Sequence, residues 1–285
     1  MFATRVGAVY NRSDDMYREF FGLKEKPFNI TSDPNFLYLS RVHKEAFSHL
    51  LYGIKERKGF LEITGEVGAG KTTLCRALLS RLDRNTKSAF IFNSTLPEMQ
   101  LLQAIIEDYG MVVTKRSKVA MLQQLNGFLI NELTRGNNVI LIIDEAQNLK
   151  SSILEEIRML SNLETDKEKL FQIILVGQPE LKNKLNSPNL KQLRQRIAVR
   201  FHITALEKGE IGDYINHRLS VAGSSGQITF SQEAVDCIYS FTGGIPRIIN
   251  MVCDKAMLTA YVMETWIITL QMVEKSIQEM EGNIA

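Results

Sequence analysis

Five short apolar segments that alternate with amphipathic stretches constrain the fold of this chain more than any other feature. They are FLEIT (60–64), AFIF (89–92), VILIID (139–144), FQIILV (171–176) and VRFHI (199–203). Apolar residues recur at helical spacing in the intervening segments, which are 71–84, parts of 97–135, 150–163 and parts of 179–197. Buried parallel strands have nearly continuous apolar sequences and are joined by helical crossovers. The pattern therefore predicts an α/β fold, a three-layer sandwich on a five-stranded, mostly parallel sheet.

The region before the first strand has a different character. Residues 1–15 show no period and are expected to form a flexible leader. The segment FFGLKEKPFNITSDPNFLYLS contains Pro27 and Pro34, which disfavour a helix, so we expect an ordered and extended arm there. A helix is predicted over 42–57, because apolar residues recur at helical spacing before Gly59.

The region after residue 203 shows only helical patterns. They cover 207–222, 232–241, 246–262 and 269–280. We therefore predict two domains: the arm with the α/β domain over 16–204, and a small all-helical lid domain over 205–285.

Composition excludes several classes of protein. The 285 residues include 34 Lys+Arg and 32 Asp+Glu, and 45% are hydrophobic, which excludes a disordered or fibrous chain. The net charge of +2 gives no general case for binding nucleic acid or anionic lipid. The first thirty residues contain no signal peptide, and the longest aliphatic run is far shorter than the roughly 20 residues of a membrane span. Three sparse cysteines, Cys75, Cys237 and Cys253, indicate thiols in a reducing compartment, so we expect a cytoplasmic protein.

The sequence GEVGAGKT fits the pattern G-x-x-x-x-G-K-[ST] and lies between a predicted strand and a predicted helix. Glycines allow such a loop to wrap a phosphate with backbone N–H groups, and the helix N-terminus favours negative charge. Lys71 would reach the β and γ phosphates of ATP, and the Thr72 hydroxyl would bind Mg²⁺. The residues expected to bind the nucleotide are Gly65, Glu66, Val67, Gly68, Ala69, Gly70, Lys71, Thr72 and Thr73.

The strand VILIID delivers two adjacent acids, Asp144 and Glu145, to the carboxyl end of the sheet. Phosphoryl transfer depends on positioning and on neutralising charge, so two acids at this point favour separate roles. We expect Asp144 to hold Mg²⁺ through water and Glu145 to orient and polarise the attacking water.

Two other strands also end in polar residues that should lie near this edge. Gln178 follows FQIILVG and is expected beside Asp144, where it would contact the γ-phosphate or the attacking water. Asn93 follows AFIF and would hydrogen-bond to Glu145, holding it away from the water until a partner docks.

Arginines form a further group of candidates. LKQLRQRIAVRF contains Arg194, Arg196 and Arg200, which form either a solvated face or fingers that reach the nucleotide of a neighbouring subunit. We favour Arg196 as the finger, with the other two as alternatives. In TGGIPRIIN, Pro246 lies in the first turn of a predicted helix and Arg247 lies just inside it.

Taken together, GEVGAGKT, VILIIDEAQNL, ILVGQPEL, LRQRI and GGIPRIIN resemble the AAA+ ATPases of the ExeA, or general secretion pathway protein A, group, which are related to the TnsC transposition ATPases. The opening segment from Phe20 to Ser40 also resembles that group, so the resemblance covers nearly everything from Met16 to Met280.

The resemblance assigns roles to several residues. It implies a Walker A motif over 65–72, a Walker B motif ending in Asp144 and Glu145, sensor 1 at Gln178 and a catalytic sensor 2 arginine at Arg247. It also implies that the arm near Pro27 and Phe28 packs toward the adenine of ATP.

Two functions remain open within this resemblance. ExeA continues into a membrane segment and a periplasmic peptidoglycan-binding domain, which this sequence lacks up to Ala285. One function is an ATPase that forms a ring or helical oligomer with ATP and drives or times the assembly of a cell-envelope secretion, pilus or exopolysaccharide system, with separate membrane proteins as partners. The other is a TnsC-like, nucleotide-switched regulator of transposition that assembles on DNA. DNA is the less favoured partner, because the basic residues that could contact its phosphates occur in charged runs that are typical of solvated helix faces. These residues are Lys115, Arg116, Lys118, Lys182, Lys184 and Lys191.

Overall fold

The computed structural model describes residues 16–92, 95–161, 169 and 171–282. They form two compact units. The first unit consists of Arg41–Val67 and Lys71–Thr204. The second consists of the described residues up to Ser40, the loop residues Gly68–Gly70, and the described residues from Ala205 onward. The expected leader over 1–15 lies outside the described residues.

Helices account for most of the described chain. They are α1 (Met16–Phe20), α2 (Arg41–Lys55), α3 (Lys71–Leu79), α4 (Glu98–Asp108), α5 (Lys118–Thr134), α6 (Ser151–Leu160), α7 (Pro179–Leu185), α8 (Lys191–Arg196), α9 (Ile211–Val221), α10 (Gln232–Thr242), α11 (Pro246–Val262) and α12 (Leu270–Met280). None of these described helices has both the length and the apolar character needed to cross a membrane.

The first unit is built on a parallel five-stranded sheet in the order β2-β3-β4-β1-β5. Its strands are β1 (Phe60–Gly65), β2 (Thr86–Ile91), β3 (Asn138–Ile143), β4 (Gln172–Gly177) and β5 (Ile197–Ile203). All five predicted strands are confirmed. Two begin two or more residues earlier than predicted: β2 starts at Thr86 and β5 at Ile197, because both are edge strands that admit polar or exposed residues.

The central strands β3, β4 and β1 form the core of the first unit. Ile140, Leu141, Ile142, Ile173 and Ile174 have no exposed surface. Strands buried on both faces in this way need helices on both sides of the sheet, as the sequence predicts. Because all five strands run in the same direction, their carboxyl ends lie at one edge.

The second unit combines α1 and the arm with α9 to α12 and a short parallel ladder. The ladder joins β6 (Thr229–Phe230) and β7 (Ile267–Ile268), which corrects the prediction of an all-helical domain. Strands of two residues are too short to produce a period in the sequence. They lie just before α10 and α12.

The arm belongs to the second unit rather than to the α/β unit with which the sequence analysis grouped it. Arg218 on α9 is only 6% exposed, and its guanidinium donates to the backbone carbonyls of Pro27 at 2.5 Å and Asn29 at 2.9 Å. The same guanidinium lies 4.8 Å from the centre of the Phe36 ring. A buried arginine satisfied by backbone carbonyls fixes the path of the arm at these residues.

Candidate active site

The glycine-rich loop follows β1 and ends at the first residue of α3. Gly68 and Gly70 have φ values of 80° and 91°, a region that favours glycine. Gly65 is required for another reason, since a Cβ atom there would lie 2.6 Å from the carbonyl oxygen of Ile203. Of the other residues predicted to bind nucleotide, Glu66 and Val67 are exposed, Thr72 and Thr73 are half-buried, and Ala69 is buried.

Lys71 lies folded against the loop. Its Nζ atom donates to the carbonyls of Gly65 at 2.8 Å and Glu66 at 2.9 Å, and the residue is only 5% exposed. Burial lowers the pKa of Lys71, and the nearby carboxylates of Glu145 and Asp144 partly oppose that shift. The carboxylates of Glu145 and Asp144 therefore help keep the buried Lys71 ammonium charged, as a phosphate-binding lysine must be.

Half-buried Thr72 and buried Asp144 contact each other. The Thr72 hydroxyl donates to Asp144 Oδ2 at 2.6 Å, and the Glu145 N–H donates to Asp144 Oδ1 at 2.9 Å. Burial raises the pKa of Asp144, and these two hydrogen bonds reduce the shift. The Thr72 hydroxyl and the Asp144 carboxylate are both oxygen ligands, which Mg²⁺ prefers. These residues therefore fit the predicted metal.

Glu145 is the second residue after β3, which ends at Ile143. Its φ and ψ are 50° and 36°, which is the left-handed region and uncommon for a residue with a side chain. Its Oε2 atom accepts a hydrogen bond from Gln178 Nε2 at 3.0 Å and another from Gln147 Nε2. Backbone strain of this kind persists where the surroundings hold the residue in place, and it is often found at functional sites.

Gln178 lies at the carboxyl edge, as predicted, but its side chain contacts Glu145. Its backbone N–H donates to Gln147 Oε1 at 3.0 Å. Gln147 is not among the residues predicted from the sequence, although it follows Glu145 by two positions in the same strand-end segment. Asn93, the partner predicted for Glu145 from the segment after β2, lies outside the described residues.

The three candidate finger arginines all make contacts within the first unit. Arg196 donates to Ser161 Oγ at 3.0 Å, and Arg194 to the Asn186 carbonyl at 3.4 Å. Arg200 donates to the Arg194 carbonyl at 2.7 Å and lies 3.3 Å from the carboxylate of buried Glu62. These contacts leave the choice of Arg196 as a prediction.

Arg247 is exposed and lies in the first turn of α11. Its backbone N–H donates to the carbonyl of Gly68, which belongs to the same unit, at 3.3 Å. A Cβ atom on Gly68 would lie 2.6 Å from Cβ of Arg247, so only glycine fits this approach. The sensor 2 role of Arg247 stays a prediction.

The arm residues differ from the prediction that they pack toward a nucleotide. Phe28 is only 1% exposed and packs edge-on against Phe230, with ring centres 6.2 Å apart. Pro27 is also buried. An aromatic ring already enclosed by the core of its own unit has no face to offer to adenine, so the structure gives Phe28 a packing role.

Two of the lysines considered as DNA contacts are engaged within the first unit. Lys118 Nζ lies 2.6 Å from Glu98 and 2.9 Å from Glu156. Lys184 Nζ donates to the carbonyls of Gln147 and Leu149, the latter at 2.8 Å. These internal contacts weaken the case for a continuous phosphate-binding stripe.

Comparison with known sequences finds one family match and one similar protein. Residues 54–185 match the family described as AAA domain. General secretion pathway protein A of Aeromonas hydrophila is 43% identical over 247 residues, which are 86% of this chain and 45% of that protein. The chain thus spans less than half the length of this relative.

Comparison with solved structures finds the same fold at low sequence identity. The ORC2 protein of Aeropyrum pernix, solved as ADPNP–ADP complexes, has a TM-score of 0.69 and 18% identity, and the match covers 90% of this chain and 72% of that one. Cdc6p of Pyrobaculum aerophilum has a TM-score of 0.63 and 17% identity, over 86% of this chain and 70% of that one. These matches confirm the predicted fold class.

Proposed function

We propose that the chain is an AAA+ ATPase of the general secretion pathway protein A group, and that it hydrolyses ATP at the glycine-rich loop with Glu145 as the base. One observation carries the proposal. Thr72, Asp144, Glu145 and Gln178, from three separate segments, are connected by hydrogen bonds at the carboxyl edge of the sheet. Ligands gather at this edge in parallel α/β sheets.

Each residue has a role in this proposal that follows from its chemistry. Lys71 binds the β and γ phosphates, and Thr72 and Asp144 hold Mg²⁺. When bound, Mg²⁺ neutralises charge on the phosphates. Glu145 polarises the attacking water by accepting its proton, and Gln178 contacts the γ-phosphate or the attacking water. Arg247 is proposed as the sensor 2 arginine, and Asn93 as a further hydrogen-bond partner of Glu145.

We also propose that the active form contains several copies of the chain. An arginine finger acts on the nucleotide of a neighbouring subunit, and Arg196 is the candidate at the end of α8. The complex whose assembly the ATPase drives or times is a cell-envelope secretion system, which it contacts through membrane-protein partners. The support is the name of the relative from Aeromonas hydrophila, General secretion pathway protein A.

The test is ATP turnover per subunit over a series of protein concentrations, with and without duplex DNA, at low and moderate salt. Trans-acting arginines predict a steep rise of turnover per subunit with concentration, without any effect of DNA. A flat profile would contradict the shared site. Stimulation by DNA that disappears at moderate salt would instead favour the TnsC-like regulator.

Arg196→Ala is the matched variant. Since a finger acts on the transition state, we expect nucleotide binding close to wild type and turnover lower by about 10³-fold or more. Unchanged turnover would move the role to Arg194 or Arg200.

A further inference from the structure

Gln147 links the base to the neighbouring strand through both ends of its side-chain amide. Its Nε2 atom donates to Glu145 Oε2, and its Oε1 atom accepts from the Gln178 backbone N–H at 3.0 Å. We propose that Gln147 is a positioning residue that holds the Glu145 carboxylate in place for ATP hydrolysis. This inference rests on the function proposed above.

The orientation of the Gln147 amide follows from its partners. A backbone N–H can only donate, so the atom of Gln147 that faces Gln178 must be the carbonyl oxygen. The amide nitrogen then faces Glu145, whose ionised carboxylate can only accept. A glutamine suits this position because its single amide group supplies both a donor and an acceptor.

Gln147, Gln178 and Glu145 form a closed cycle of hydrogen bonds. Gln178 Nε2 donates to the same Glu145 Oε2 at 3.0 Å, so two amides anchor one carboxylate oxygen. A carboxylate has about four acceptor positions, so this anchoring is compatible with binding a water. The flexible Glu145 side chain is thereby fixed relative to the ends of both β3 and β4.

Two neighbouring residues keep Gln147 in this position. A Cβ atom on Gly177 would lie 2.7 Å from Gln147 Oε1, so the absence of a side chain at 177 permits the close approach. Lys184 on α7 donates to the carbonyls of Gln147 and Leu149, which fixes the backbone of the turn. The turn itself is a single 3-10 helical segment, Ala146–Asn148.

The test compares Gln147→Met with wild type, because methionine has similar volume but offers neither strong donor nor acceptor. Misplacing a reacting group by about 1 Å can cost about 10²-fold in rate, so we expect kcat to fall by about 10- to 100-fold while ATP affinity changes less than about twofold. Gln147→Glu keeps the acceptor but faces Glu145 with a like charge, so kcat should fall at least as far. Gln103→Ala is the control, because half-buried Gln103 donates a similar hydrogen bond from its amide to the carboxylate of Glu107 on α4 at 2.8 Å.

A second background separates positioning from a general structural defect. In Glu145→Gln, adding Gln147→Met should cause no further loss of single-turnover rate, since Gln147 acts only through the carboxylate. A further loss there would overturn the inference, and so would wild-type kcat in Gln147→Met. If Glu145→Gln itself turned over ATP at the wild-type rate, the proposed base would be wrong, which is a separate failure.

Discussion

Replacing Phe28 with alanine should destabilise the second unit rather than weaken nucleotide binding. The ring is 1% exposed, so almost the whole side chain leaves the core when it is truncated. Phe→Ala in a core costs about 3–5 kcal/mol. The edge-on contact with Phe230 contributes about 0.5–1.5 kcal/mol beyond burial, and the arm backbone held by Arg218 limits collapse into the cavity. We therefore expect the upper part of that range.

The assay is urea unfolding followed by the fluorescence of Trp266, the single tryptophan of the chain. Trp266 packs against Phe20 and Phe21 in the second unit, so its signal reports on that unit. With an m value of about 1–3 kcal/mol/M, the midpoint should fall by at least about 1 M. Ile30→Ala is the control on the same arm, because Ile30 is 57% exposed. A midpoint shift in Phe28→Ala no larger than in Ile30→Ala, with weaker ATP binding, would refute the packing role.

Three other substitutions test separate parts of the structure. Burial raises the pKa of Glu62, so the wild type should lose stability relative to Glu62→Gln as pH rises above about 4.3, where the carboxyl charges in the unfolded chain. Thermal unfolding of both proteins at several pH values measures this. A wild type that gains stability relative to Glu62→Gln with rising pH would contradict it. Tyr214→Phe removes a buried hydroxyl that donates to Asn250 at 2.7 Å, which should cost about 1–3 kcal/mol of unfolding free energy in the same urea assay; a cost near zero would show that the bond does not stabilise the unit. Gly177→Ala should lower kcat by displacing Gln147, and unchanged kcat would show that the close approach is not needed.

The sheet could be predicted from the sequence because its central strands are buried on both faces. Continuous apolar runs such as the one in β3 have few other interpretations when a glycine-rich loop follows another strand of the same chain. The edge strand β2 was harder, since its first half reads Thr-Lys-Ser. These three residues pair with β3 through backbone hydrogen bonds. Backbone pairing of this kind leaves no apolar pattern in the sequence.

The candidate site could be predicted only in part. Lys71, Thr72, Asp144 and Glu145 follow from a motif and a strand end, which are local features. Gln147 does not, because its role depends on a left-handed Glu145 and on a backbone N–H that lies 31 residues away in sequence. Long-range contacts of this kind need the folded arrangement.

The burial of Phe28 could not be predicted from the sequence either. The residue follows a proline in a segment without period, so nothing local distinguishes a core ring from a ligand contact. Its environment is formed by Phe230 and by the arm backbone that Arg218 fixes, both about two hundred residues further along the chain.

The most direct test of the central claim is single-turnover ATP hydrolysis by the wild type and Glu145→Gln, at concentrations where both bind ATP equally. If Glu145 is the base, the variant should bind ATP within about twofold of wild type but hydrolyse it about 10²- to 10⁴-fold more slowly. Equal rates in the two proteins would contradict the account, because the residue held by Gln147 and Gln178 would then have no part in the reaction.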